Sequence, residues 1–167
     1  TEVYDREASE VFEIQSEIAK AIAAKFNVAI SREASAMLDE VPTKNMKAYE
    51  LYLKARTVPK PAGFGIGTSY ESTRKGISLL KESIRLDPDF ADAYILMGQL
   101  YGYLDDGLDS AVAMTKEGII HNPASAKSYE QLAYFTGDPS WLKRVYALDT
   151  LAGLLSYGKA LWNEGLL

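Results

Sequence analysis

Three glycines at alternate positions, Gly63, Gly65 and Gly67, stand in the stretch "PKPAGFGIGTSYE" ahead of Thr68 and Ser69. A glycine loop that opens a helix can wrap a phosphate with its backbone N–H groups. This one lacks the Gly-Lys-Ser/Thr ending of a nucleotide loop, and its glycines are spaced two and two rather than two and three. It also follows a helical pattern instead of a strand. It therefore reads as an insertion between helices, with Thr68 or Ser69 capping the next one. Phe64 and Ile66 stay as its candidate partner contacts. His121 is the only histidine and there is no cysteine, so disulfides and thiolate metal sites are excluded. No second imidazole can join His121, which reads as a helix end meeting the negative pole of the helix dipole. Asp105 and Asp106 precede Gly107 without the ligand spacing of a calcium loop, and read as solvated turn residues. No catalytic residue, metal ligand or cofactor is expected.

The elements that would position these residues are helical. Of 167 residues, 47% are hydrophobic and 25% charged, with a net charge of −5. No basic block appears, which argues against nucleic acid as a direct partner. No run of apolar residues is long enough for a membrane span, and the charged start "TEVYDREASE" holds no signal-peptide core. The chain reads as a fragment of a longer protein, with a cytoplasmic location favoured over an extracytoplasmic one.

Residues 8–26 place Val11, Ile14, Ile18, Ala21, Ile22 and Phe26 at steps of three and four, the inner side of an amphipathic helix. Thr1–Tyr4 could be the tail of a strand. Ser31 can cap a short helix that Val41-Pro42 ends. Thr43 is the candidate cap of the next helix, whose apolar face is Met46, Tyr49, Leu51, Tyr52 and Leu53. Further helices are predicted over 69–86, from about Phe90, within "DDGLDSAVAMTKEGIIHNP" after a turn, and within "ASAKSYEQLAYF". A last one, over about 139–155, has Asp138 as cap and Pro139 at its first position.

Two segments align without gaps: "DPDFADAYILMGQLY" (87–101) and "NPASAKSYEQLAYFT" (122–136). Pro88 and Pro123 are 35 apart, as are Tyr94 and Tyr129. Each proline stops a helix. The tyrosine is expected to fill the space between two helices of a pair, and a small residue, Gly98 or Ala133, to let them approach. The second helices carry Gly76, Leu80, Ser83 and Pro88, then Ala111, Thr115, Gly118 and Pro123. Thr115 stands where a bulky apolar residue would be usual, which predicts a weaker contact there. Tyr49 heads an earlier pair, but lies 45 residues before Tyr94, about 11 more than a 34-residue unit requires. The excess coincides with the glycine stretch.

This period and order resemble the tetratricopeptide repeat. "YDR" (4–6), "VFEIQ" (11–15), "EIA" (17–19), "AY" (48–49) and "LYL" (51–53) narrow the likeness. Together they resemble a bacterial family in which a TolB-like domain is joined to such repeats, behind cyclase, winged-helix activator or kinase domains. The resemblance implies an all-α superhelix of helix-turn-helix units with leading helices. It divides the chain into 1–42, the end of the TolB-like region and leading helices; 43–137, the repeats with an insertion at 57–68; and 138–167, the last repeat helix and a capping helix.

Stacked first helices of such repeats line a concave binding face. One turn to either side of the packing aromatic, Lys47, Glu50, Lys54, Asp92, Ile95, Gln99, Tyr103, Lys127, Glu130 and Tyr134 are the expected groove residues. The apolar stripe Leu148, Leu151, Leu154, Leu155, Leu161 and Trp162 folds back on the array or forms a homodimer contact. The implied function is a non-catalytic regulatory module that binds a protein, a peptide or its own effector domain. The alternative is a small-molecule sensor with the glycine insertion as lid.

Overall fold

The computed structural model describes residues 2–26, 41–58 and 70–149. The glycine insertion with Phe64 and Ile66, the helix predicted after Ser31, and the C-terminal stripe beyond Leu148 lie outside these residues. The described residues are all-α: α1 (Glu2–Lys25), α2 (Met46–Arg56), α3 (Tyr70–Leu86), α4 (Ala91–Tyr101), α5 (Leu108–His121), α6 (Ala126–Thr136), a 3-10 turn (Pro139–Trp141) and α7 (Leu142–Leu148). No strand lies among them. The strand expected at Thr1–Tyr4 gives way to α1, which is already helical at Glu2.

Consecutive helices pack as pairs, α2 on α3, α4 on α5 and α6 on α7, while α3 meets α4 and α5 meets α6. The main core lies among α2, α3 and α4, where Ala48, Ala55, Ile77, Leu80, Phe90, Leu96 and Leu100 are buried. Burying each large aliphatic side chain contributes about 2 kcal/mol. A smaller core joins Tyr129 to Leu142 and Val145.

Helices α4 and α5 approach each other closely. A Cβ on Gly98 would stand 2.5 Å from Thr115 Oγ1 and 2.9 Å from the Ala111 carbonyl oxygen. Thr115 is fully buried, and its hydroxyl donates to the Ala111 carbonyl at 2.8 Å. The expected weak contact is instead a tight one. The glycine leaves no room for a bulkier partner, and the buried hydroxyl is satisfied. One turn further along, Gly118 accommodates Ile95, whose Cγ1 would lie 2.6 Å from a Cβ there.

Tyr94 reaches the end of the partner helix α5. It is half-buried at the rim, stacked on His121 with ring centroids 5.1 Å apart. Tyr129 does take a core position, and its hydroxyl donates to the Pro123 carbonyl at 3.2 Å.

Two starts, those of α2 and of the 3-10 turn, are capped by side chains. Asn45, not Thr43, caps α2, its Oδ1 accepting from the Ala48 N–H at 3.0 Å. Thr43 serves the tertiary fold. Its hydroxyl donates to the Asp87 carboxylate, while Asn45 Nδ2 donates to the Leu86 carbonyl at 3.1 Å. The start of α2 is thereby tied to the end of α3. Asp138 caps the 3-10 turn, accepting from the Ser140 N–H at 2.9 Å, with Pro139 at the first position. Gly137, at φ 65°, closes α6 in the left-handed conformation that glycine adopts at little cost.

The leading helix departs from its expected orientation. Among its described side chains, Phe12 and Ser16 are buried. Phe12 meets Tyr49 edge-on at 4.8 Å. Ile14, Ile18, Ile22 and Phe26, predicted as the inner row, face outward. Periodicity located the isoleucine row of α1, but the neighbouring aromatic on α2 decides which side is covered, and it covers Phe12.

Candidate functional site

Three first helices, α2, α4 and α6, bring charged and aromatic groups together around Asp92. Asp92 sits in the first turn of α4. Burial holds its carboxyl above the usual carboxylate range, while Lys127 on α6 and Arg56 on α2 act against that rise. Cations from both flanking helices therefore act on one desolvated carboxylate. The Arg56 guanidinium also lies over the Tyr52 ring, 5.7 Å from its centroid, a cation–π geometry. Burial, reinforced by the negative charge of Asp92, pushes the Tyr52 phenol up to about 12. Tyr52 in turn packs on Phe90 at 5.0 Å, and Phe90 is fully buried at the start of α4. The aromatic run Phe12, Tyr49, Tyr52 and Phe90 thus connects α1 and α2 to the floor of the site.

Beside Asp92 opens a cleft of about 330 Å³ lined by Val41, Pro42, Asp89, Ala91, Asp92, His121 and Asn122. His121 Nδ1 lies 3.3 Å from Asp89 Oδ1. His121 ends α5, as expected, but it is also held by Tyr94 and faces a carboxylate.

Of the predicted groove residues, Lys127 acts electrostatically on Asp92. Glu130 and Tyr134 share α6 with Lys127 and are exposed, Tyr134 by 82%. Gln99 is half-buried on α4. The other five stand in different surroundings. Ile95 is only 3% exposed because it fills the notch at Gly118, so it is a core residue. Tyr103 lies past the end of α4 and packs against the main core. Lys47 and Glu50 pair with each other at 3.2 Å. Lys54 lines a separate cleft of about 430 Å³ with Val58, Lys75 and Leu79.

Tyr52 and Arg56 were missed as site residues. Their spacing of four was the available signal, since it sets them on one side of a helix. Tyr52 was read only as part of an apolar face. Asp105, read as a solvated turn residue, is engaged as well: the Tyr70 hydroxyl lies 2.8 Å and 2.7 Å from its two carboxylate oxygens.

The arrangement can bind and orient polar groups. It offers two cations, a carboxylate, aromatic surface and an adjoining cleft. Among the described residues no three of His, Asp and Glu stand close enough to share a metal ion, and no helix is long and apolar enough to cross a membrane. No family model matches the chain, and neither does any curated protein.

Proposed function

We propose that the face shared by α2, α4 and α6 is a protein-binding surface, and that the chain is a non-catalytic regulatory module of a larger signalling protein. Its occupant is a peptide segment, from a partner or from the protein's own effector domain. The observation that carries this reading is the set of charged and aromatic groups from α2, α4 and α6: Arg56 over the Tyr52 ring, and Asp92 under the influence of Arg56 and Lys127. Each comes from the first helix of a successive pair, the arrangement that a tetratricopeptide-like superhelix uses to build a concave groove. Arg and Tyr are also the residue types that dominate binding energy at protein surfaces.

Panning a random-peptide library on the chain tests this reading. Enriched peptides should lose about tenfold or more in affinity to the Arg56→Glu/Lys127→Glu variant. They should bind Lys75→Glu, altered in the other cleft, as well as the unaltered chain. Peptides indifferent to the double variant would contradict the assignment.

A further inference from the structure

We propose that α1 is an antiparallel self-association helix, pairing with α1 of a second copy of this chain through Ile14, Ile18 and Ile22. These residues are 54%, 55% and 54% exposed, and Phe26 at the end of the row is 72% exposed. The opposite side of the same helix, at Phe12 and Ser16, is the side turned to the array. A spacing of four keeps the isoleucines in one line along the helix. Such a continuous apolar row on a water-facing side is the signature of an interface rather than of a free surface.

Charge selects the occupant and its direction. Within α1 six acidic residues and the single cation Arg6 precede Ile18, whereas Lys20 and Lys25 follow it. A second α1 laid antiparallel and centred on Ile18 sets Ile14 against Ile22 of the other copy, and Ile18 against itself. It also brings Glu10, level with Phe26 of the other copy, beside that copy's Lys25 across the seam. A parallel pair would set acid against acid. The antiparallel pair closes on itself by two-fold symmetry, so it yields a dimer and not a filament. Four such side chains from each copy bring together on the order of 1,000 Å² of surface, the lower bound of a specific interface.

Sedimentation equilibrium of the full chain over a wide concentration range tests the proposal. The expected result is a monomer–dimer equilibrium that Ile18→Glu weakens by about a hundredfold or more, with helix content unchanged by circular dichroism because the site is exposed. Glu10→Lys and Lys25→Glu should each weaken the dimer about tenfold, and the double exchange should restore it. That rescue is specific to antiparallel pairing. A chain that stays monomeric at several hundred micromolar overturns the proposal, and so leaves the stripe to a different partner or to another part of a longer protein. A dimer insensitive to Ile18→Glu but broken by Leu151→Glu also overturns it, placing the contact in the C-terminal stripe instead.

Discussion

Helices α4 and α1 show how differently the same kind of apolar pattern can be used. In α4, Ala93, Ile95, Leu96, Met97, Gly98 and Leu100 are all buried, because α3 lies on one side and α5 on another. In α1, which packs on α2, Phe12 and Ser16 are buried while three isoleucines face water. An apolar stripe therefore states that a helix has a partner to find. Its neighbours in space decide whether the chain itself supplies that partner.

The contrast predicts a graded response to substitution. Leu100→Ala, in the fully buried part of α4, should cost about 3 kcal/mol in urea unfolding, from lost burial plus the cavity left behind. Gly98→Ala should cost about 2 kcal/mol, because the added methyl meets Thr115 and a backbone carbonyl rather than a flexible side-chain tip. Phe12→Ala should cost less than about 1 kcal/mol globally while freeing α1 from the array, so that helical signal is lost before the main transition. A Phe12→Ala effect as large as that of Leu100→Ala would remove the distinction between the two helices.

The smallest expected effect is at the site. The Asp92 carboxyl titrates at a higher pH in the folded state than in the unfolded chain, chiefly through burial. Between those two values the folded state binds more protons, so this residue's contribution to stability falls as pH rises through them. Asp92→Asn should therefore raise the melting temperature slightly at pH 7. The difference should shrink as pH falls into the acid range, where the native carboxyl is already protonated. A lower melting temperature at pH 7 would mean that attraction to Lys127 and Arg56 outweighs the burial penalty.

Much of the fold was legible because its determinants are local. Pro88 and Pro123 end helices wherever they stand. Asp138 with Pro139 marks a helix start, and Gly98 and Gly118 announce close approach by their lack of a side chain. What was not legible depends on neighbours distant in sequence. Thr43 and Asn45 are both good caps by chemistry, and Asp87, 44 residues further along, draws Thr43 away. Ile95 fits a groove by its position on α4, but the space beside Gly118 takes it into the core. Tyr52 and Arg56 became visible as a pair only once Asp92 was set against them. The outward row of α1 had the same periodicity as an inner one.

Native-state hydrogen exchange, at a concentration too low for self-association, tests the central contrast most directly. The account predicts that the amides of α4 and α5 exchange most slowly, at rates set by global unfolding, and those of α1 orders of magnitude faster through local release. Amides of α1 as protected as those of α4 would show the helix to be an integral part of the core, and would contradict the account.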